Sequence, residues 1–206
     1  WEKTFNVCWG GVYYSTRAFL PLLLAAPFGQ IVNTSSVNGF WASLGPNTSH
    51  SAYAAAKFAV KGFTEALIAD FRVNAPSLRA AVVMPGHIGT NIAINSSKLN
   101  GVDPDRMTAE QEVKVRERMS KMGLDVSGVS TDELKALMKM GTEGFRDNAP
   151  IDGAQAATII LNAIMNNEWR ILVGEDAKIL DEVVRQYPFE AYEPEFIERL
   201  HARGIM

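Results

Sequence analysis

The sequence has few of the side chains that form disulfides and metal sites, with one cysteine and three histidines among 206 residues. A single cysteine excludes an internal disulfide and is typical of a reducing compartment, so we predict a cytoplasmic protein. The histidines are His50, His87 and His201, and no group of His, Cys, Asp or Glu has the spacing of metal ligands. We therefore expect no metal site.

Long runs of charged or of apolar residues are also missing. The net charge is −3, with no extended run of either sign, which argues against a nucleic-acid groove or a patch for anionic membranes. The longest apolar stretch, 18–28, is too short to span a bilayer and contains Pro21 and Pro27. It also lacks the flanking segments of a signal peptide. We expect neither nucleic acid nor a membrane as a partner.

The residues that are present indicate a folded α/β protein. Hydrophobic residues make up 47% of the chain, enough to build a core. Two short apolar segments, 30–35 and 79–84, flank a clear helical pattern at 51–74, which indicates a parallel sheet. Ser49 or Ser51 is predicted to cap that helix, after a loop at 37–50. Similar patterns predict helices at 2–25, 154–166, 177–187 and 193–203, and a strand at 169–173.

The segment 91–150 interrupts this pattern and is too long for a plain connection. We predict two or three short helices in it, one near 108–122 and one near 131–140. It is rich in methionine, which lines adaptable apolar pockets but also fills ordinary cores. A substrate-binding cap and a plain structural cap are therefore both open for this segment. Its methionines include Met107, Met119, Met122, Met138 and Met140.

Tyr53 and Lys57 are four residues apart at the start of the predicted helix 51–74. This spacing places both side chains on one face, about one turn apart. Free tyrosine has a pKa near ~10, and a neighbouring ammonium favours the phenolate and lowers that pKa. The pair can then exchange a proton with a substrate oxygen. Ser36, at the end of the first predicted strand, is placed to hydrogen-bond the same oxygen.

A second polar segment follows the second strand, at Pro85–Thr90. In parallel α/β sheets, ligands bind beyond the carboxyl ends of the strands. Ser36 and the segment 85–90 both follow such ends, so we expect them to meet at one edge of the sheet. A serine hydrolase is a poor alternative, because Ser36 lacks a Gly-x-Ser-x-Gly turn and the histidines have no evident carboxylate partner.

Three motifs resemble those of the short-chain dehydrogenase/reductase family: Ile31–Ser36, Tyr53–Lys57 and Pro85–Thr90. The resemblance is close over about residues 1–90 and looser over 151–188. It implies a Rossmann-like, doubly wound parallel sheet in a three-layer α/β/α arrangement. We expect residues 1–206 to be one such domain, with a helical substrate-cap insert at about 91–150.

The resemblance implies an oxidoreductase that moves hydride between NAD or NADP and an alcohol or carbonyl compound. The implied catalytic residues are Ser36, which binds the reacting oxygen, Tyr53, the general acid/base, and Lys57, which lowers the pKa of Tyr53 and holds the nicotinamide ribose. The expected substrate is a small-to-medium apolar alcohol or ketone. A homodimer or homotetramer is expected through the helices 2–25 and 51–74. The implied cofactor-binding residues are Tyr53, Lys57, Pro85, Gly86, Ile88 and Thr90.

Two differences from the family pattern leave a second function open. Cys8 stands where the family usually has an asparagine that holds a water of the proton relay, and a thiol is a weak hydrogen-bonding group. The family's first strand and its glycine-rich phosphate turn do not occur in this sequence, so we expect a C-terminal portion without the N-terminal strands. The alternative is a non-catalytic binding or assembly module, a pseudoenzyme or inactive fragment.

Overall fold

The computed structural model describes residues 1–43, 50–99 and 101–205. The chain divides into two compact units, one formed by Trp1–His87 with Ala154–Met206 and the other by Ile88–Gly153. The second unit contains the predicted insert, although its treatment as part of one domain stays a prediction. Ser49, predicted as a helix cap, and part of the predicted loop at 37–50 lie outside the described residues.

Helices and strands alternate through most of the first unit, as the sequence predicts for an α/β protein. In chain order, the elements are α1 (Glu2–Phe5), a π-helical turn (Asn6–Gly10), α2 (Gly11–Ala25), β1 (Gly29–Thr34), a 3-10 turn (Val37–Gly39), α3 (Ser51–Asn74), β2 (Leu78–Pro85), β3 (Ile88–Gly89), α4 (Ile92–Leu99), a 3-10 turn (Pro104–Arg106), α5 (Ala109–Lys121), α6 (Thr131–Asp147), β4 (Ile151–Asp152), α7 (Gly153–Met165), β5 (Arg170–Val173), α8 (Glu175–Gln186) and α9 (Pro194–Ala202).

The first unit contains a three-stranded sheet in the order β1-β2-β5, and both strand pairs are parallel. Thr34 lies opposite Val83, and Pro85 lies opposite Val173, so the carboxyl ends of the strands share one edge. This arrangement confirms the predicted parallel α/β sheet. It also places the residues that follow β1 and β2 at the edge where such sheets bind ligands.

The central strand β2 is an almost continuous buried run. Ala81, Val82 and Met84 have no exposed surface, as expected for a parallel strand that is covered on both faces. On one side, Phe71 of α3 packs against Ile31 of β1. The helix that carries Tyr53 and Lys57 is therefore fixed to the sheet by burial of apolar surface.

A second core in this unit surrounds Trp41, which the sequence analysis did not select. Trp41 packs against Phe196 of α9, and its indole N–H donates a 2.6 Å hydrogen bond to the carbonyl oxygen of Ala191. Phe196 and Leu200 are fully buried. The C-terminal helix, predicted at 193–203, is therefore a core element that anchors the segment after the 3-10 turn Val37–Gly39.

Two predictions about the helices of this unit are wrong in detail. The helix predicted as continuous over 2–25 is divided by the π-helical turn Asn6–Gly10. Helix α3 spans Ser51–Asn74 as predicted, but its N-cap is His50, without a side-chain capping bond, and Ser51 is already helical. Single π-turns inside helices occur frequently at functional sites, and this one contains Cys8.

The second unit has a short parallel pair of strands, in which Ile88 of β3 lies opposite Ile151 of β4. Its helices differ from the prediction in detail: no position was predicted for a third helix, which is α4, and α6 continues to Asp147 where the pattern ended at Met140. Glycines at positions 141 and 144 have a low helix propensity, which weakens the helical pattern in the sequence. The helix nevertheless continues through both positions.

Most of the methionines in this unit have an ordinary structural role. The core cluster consists of Val115, Val126 and Leu134, and partly buried Met107, Met119 and Met138 pack against it. The other two, Met122 and Met140, are 46% and 64% exposed. The methionine content therefore mainly reflects packing within the unit, with Met140 left available to contact a ligand.

Candidate active site

Ser36 follows β1 and begins the site. Its backbone is extended, and its Oγ accepts a 3.2 Å hydrogen bond from the backbone N–H of Asn38, which caps the 3-10 turn Val37–Gly39. The side chain of Asn38 is buried and donates to the carbonyl oxygens of Trp41 and Ser43, at 3.0 and 2.7 Å. Because the backbone amide of Asn38 occupies an acceptor position of Ser36, the serine proton is directed to another acceptor.

Tyr53 and Lys57 lie in the first two turns of α3, half-buried, as the spacing predicts. The ammonium nitrogen of Lys57 lies 5.4 Å from the centre of the Tyr53 ring. It donates a 2.9 Å hydrogen bond to the carbonyl oxygen of Thr34, the last residue of β1. The structure therefore brings the tyrosine, the lysine and the end of β1 together. His50, missed at the sequence level, has its ring 4.8 Å from that of Tyr53.

The pKa of Tyr53 is raised above its ordinary value, mainly because burial disfavours the charged phenolate. Hydrogen bonding with Ser36 acts in the opposite direction, and the charge of Cys8 adds to the rise. Burial likewise lowers the pKa of Lys57, partly offset by Cys8. The net shift of Tyr53 is therefore opposite to the expected lowering by Lys57. The physical reason is that desolvation of the phenol outweighs the groups that stabilise its anion.

Ser35 and Gly39 join the end of β1 to α3, and the sequence analysis selected neither as a site residue. The hydroxyl of Ser35 donates a 2.8 Å hydrogen bond to the carbonyl oxygen of Lys57. A Cβ at Gly39 would overlap both the Ser35 Oγ and that carbonyl oxygen. Position 39 therefore requires glycine, because any side chain would separate the 3-10 turn from α3. The Ser-Ser pair followed by Asn-Gly was the available sequence signal.

Cys8 belongs to the π-helical turn Asn6–Gly10 and is partly buried. Its thiolate would act on the charges of both Tyr53 and Lys57, raising the pKa of each. The residue that differs from the family pattern is therefore close enough to the tyrosine and the lysine to affect their protonation. This proximity agrees with the expectation that Cys8 alters a proton relay.

The segment Pro85–Thr90 is divided between the two units. Pro85 ends β2, and the N–H of Gly86 donates a 2.9 Å hydrogen bond to the carbonyl oxygen of Val173 in β5. Ile88 lies in β3 of the second unit, where its carbonyl oxygen accepts a 2.8 Å hydrogen bond from the N–H of Thr90. Within the first unit, the structure thus places Pro85 and Gly86 at the same sheet edge as Ser36.

Two further properties bear on the kind of protein. No helix in the described ranges is both long enough and apolar enough to cross a bilayer. Within those ranges, no three His, Cys, Asp or Glu side chains come together as a possible metal site.

Comparisons with known proteins agree with the motifs and the sheet. Residues 1–100 match the sequence model described as short chain dehydrogenase. The chain is 30% identical over 184 residues to the putative oxidoreductase SadH of Mycobacterium tuberculosis, covering 89% of this chain and 53% of that protein. It is 30% identical over 119 residues to the acetoacetyl-CoA reductase of Allochromatium vinosum, covering 55% of this chain and 46% of that protein.

Solved structures share the fold. A short chain dehydrogenase/reductase from Burkholderia phymatum in complex with NAD superposes with a TM-score of 0.55 at 20% identity, covering 89% of this chain and 57% of that one. A short chain dehydrogenase from Burkholderia cenocepacia in complex with NADP gives a TM-score of 0.52 at 20% identity, covering 97% and 56%. The chain spans about half the length of the curated relatives that it matches. By its motifs, its parallel Rossmann-like sheet and these relatives, the chain belongs to the short-chain dehydrogenase/reductase family.

Proposed function

We propose that the protein containing this chain is an NAD(P)-dependent oxidoreductase that interconverts an alcohol and a carbonyl compound. The observation that carries the proposal is the grouping of Tyr53 with Lys57 and Ser36 at the carboxyl edge of a parallel sheet. Such edges bind ligands, and the three side chains supply a proton carrier, a cation and a hydroxyl there. Relatives with reductase names and structures that hold NAD or NADP support the same chemistry.

The residues of this chain fit the nicotinamide half of such a cofactor. The ammonium of Lys57 has three N–H donors, of which one is bonded to the carbonyl oxygen of Thr34, so the others can bind ribose hydroxyls. The turn at Pro85 and Gly86 offers closely packed backbone at the same edge, and Ile88 and Thr90 are proposed as further contacts. When bound, NAD(P) supplies or accepts the hydride.

Tyr53 is the proposed general acid and base. Its raised pKa keeps the phenol protonated at neutral pH, which suits donation of a proton to the oxygen of a carbonyl substrate. For alcohol oxidation, the phenol must first ionise, so this direction is expected to accelerate as the pH rises. Ser36, whose Oγ already accepts from the Asn38 amide, donates its own proton in a hydrogen bond to the reacting oxygen.

The proposed substrate is a small-to-medium apolar alcohol or ketone. Support comes from the methionine-rich composition of the second unit, where Met140 is 64% exposed. An unbranched thioether such as that of Met140 adapts to apolar ligands of different shapes. We expect turnover to improve with the apolar surface of the substrate.

A homodimer or homotetramer through α2 and α3 is also proposed. Both helices leave large apolar side chains uncovered: Tyr14, Phe19 and Leu22 on α2 are 61–71% exposed, and Phe58 on α3 is 41% exposed. Large apolar side chains left exposed on neighbouring turns of a helix are consistent with a protein interface. Light scattering on the purified protein measures the oligomeric state directly.

Replacement of Tyr53 by phenylalanine tests the proposed chemistry, and this is our first prediction. With NADPH or NADH and a panel of ketones, Tyr53→Phe should lose turnover by a factor of about 10²–10⁴, because proton transfer to the oxygen is lost. Cofactor absorbance follows the reaction. Tyr13→Phe, on α2, is the matched control and should keep full activity. An active Tyr53→Phe variant would contradict the mechanism.

The specific observation that favours a second function is Cys8, whose thiol lies near the tyrosine and lysine. A non-catalytic binding or assembly module would tolerate this residue and the raised pKa of Tyr53. Such a module would oligomerise and show no cofactor oxidation with any carbonyl in the panel. The same absorbance assay therefore separates the two functions.

A further inference from the structure

Asp176, on the first turn of α8, lies against the turn that follows β2. Its Oδ2 accepts a 2.6 Å hydrogen bond from the backbone N–H of His87, which is 89 residues away in the sequence. A Cβ added to Gly86 would overlap all three heavy atoms of the carboxylate group. Glycine at position 86 therefore allows this carboxylate to approach the backbone of the turn.

Two hydrogen bonds hold the Pro85–His87 turn, one to Val173 and one to Asp176. The N–H of Gly86 donates to the carbonyl oxygen of Val173, at the end of β5. The next N–H along the chain, that of His87, donates to the Asp176 side chain. The first bond continues the pairing of parallel strands, whereas the second depends on a single side chain. Asp176 is therefore the replaceable part of this support.

The other carboxylate oxygen of Asp176 shows that the residue is not there for stability alone. Oδ1 is buried, and none of the described residues donates a hydrogen bond to it. Leaving a buried polar atom unpaired costs free energy of folding. The location in the first turn of α8 offsets part of this cost, because helix N-termini favour negative charge. A buried oxygen retained at a cost is typical of functional sites.

We propose that Asp176 is a positioning residue for cofactor binding. Its carboxylate holds the Pro85–His87 turn in the conformation that borders the nicotinamide, and it acts through the backbone of the turn without touching the reacting atoms. This inference rests on the proposed function, which assigns Pro85 and Gly86 to the cofactor site.

The test uses the complete gene product that contains this chain, with Asp176→Ala, Asp176→Asn and Asp176→Glu as variants. Two quantities are measured: the Kd for NADH and NADPH by fluorescence titration, and the exchange rate of the His87 amide proton without cofactor. Asp176→Ala should weaken cofactor binding about tenfold, the effect of one lost hydrogen bond, and should accelerate exchange at His87. Asp176→Asn keeps an acceptor oxygen and should restore most of both properties.

Glu175→Ala is the matched control. Glu175 is the neighbouring carboxylate on the same turn of α8, is 72% exposed and pairs with Lys178 at the surface. Its removal should change neither the cofactor Kd nor exchange at His87. Asp176→Glu moves the carboxylate by one methylene and should weaken cofactor binding as Asp176→Ala does. If the alanine variant does not fold, the glutamate variant tests whether the position of this carboxylate affects cofactor binding.

The outcomes separate this inference from the proposed function. If the wild type binds cofactor and Asp176→Ala and Asp176→Glu bind it equally well, the inference is overturned while the proposed function stands. Faster exchange at His87 with unchanged cofactor affinity also overturns it, because Asp176 is then only a structural residue. If the wild type binds neither NADH nor NADPH, both the inference and the proposed function fail.

Discussion

The two units of the chain are stabilised in different ways. The first is built on a buried parallel strand, β2, and on an ion pair between Arg170 and Asp181 whose side chains are only 15% and 12% exposed. The second has a small core cluster that includes Leu134, and many of its charges meet at the surface, as in the 70% and 80% exposed pair of Lys114 and Glu110. Burial dominates in one unit and local helix stabilisation in the other.

This difference suits the division of tasks that we propose. A catalytic constellation needs side chains held within fractions of an ångström, and buried strands provide that precision. The second unit has helices with capping boxes, in which Thr108 and Ser130 bond to Gln111 and Glu133. Helices stabilised mainly by their own caps and surface pairs open more easily, as segments that adapt to ligands must. The predictions below test this contrast.

The largest stability effect is expected at the buried ion pair. Asp181→Asn should destabilise the first unit by about 3–5 kcal/mol, because Arg170 is then left buried without its charged partner. Asp105→Asn is the control in the second unit: Asp105 pairs with Lys139 at 2.5 Å, but their side chains are 69% and 45% exposed, so little change is expected. Urea unfolding measures both. Equal losses would contradict the contrast between the units.

The same pair predicts a pH dependence. Burial opposes ionisation of Asp181, but its bonds and charge interactions with Arg170 and Arg185 prevail and hold its pKa below the ordinary value. A lowered carboxyl pKa stabilises the fold above the pKa of the unfolded chain, and this contribution is lost as the pH falls through the folded pKa. Stability should therefore decrease below about pH 4, and Asp181→Asn should show a smaller decrease.

The core of the second unit is expected to be nearly as sensitive. Leu134 is completely buried, so Leu134→Ala should cost about 2–5 kcal/mol, whereas Leu137→Ala, at a 39% exposed position on the same helix, should cost much less. Hydrogen exchange should accelerate in α5 and α6 and remain slow in β2. Equal acceleration in β2 would show that the two units unfold together.

A moderate effect is expected at Cys8. Cys8→Asn should raise kcat a few-fold, because an amide holds a relay water better than a thiol. It also removes a group that raises the pKa of Tyr53, so the pH profile of alcohol oxidation should shift to lower pH. Steady-state kinetics over a pH series measures both effects. Cys8→Ser separates the loss of the thiol from the gain of the amide, and an unchanged or lower kcat in Cys8→Asn would contradict the prediction.

The smallest effect is expected at a helix cap. The Thr108 hydroxyl accepts a 3.3 Å hydrogen bond from the N–H of Gln111, and the N–H of Thr108 donates a 2.7 Å hydrogen bond to the side-chain oxygen of Gln111. Thr108→Ala should cost about 1 kcal/mol, whereas Thr108→Ser should be nearly neutral. Urea unfolding of the second unit, followed by hydrogen exchange in α5, distinguishes the two variants.

Sequence patterns predicted the first unit better than the second. The bounds of α3 agreed at both ends, and strands β1, β2 and β5 were each predicted within one residue at either end, because long buried runs give a strong periodic signal. In the second unit, α4 was not located, and α6 was predicted seven residues too short at its C-terminus, ending at 140 where it reaches Asp147. The glycines of α6 weaken its helical pattern in the sequence, so the C-terminal end of this helix depends on contacts with other parts of the unit.

The sequence by itself determined the parallel α/β architecture and the placement of Tyr53, Lys57 and Ser36, since these depend on local periodicity and on strand ends. Only the tertiary structure decided the direction of the Tyr53 pKa shift, which results from burial by groups distant in the chain. It also decided that Gly86 lies against Asp176. Desolvation and close approach are properties of three-dimensional neighbours, and residue spacing along a chain does not encode them.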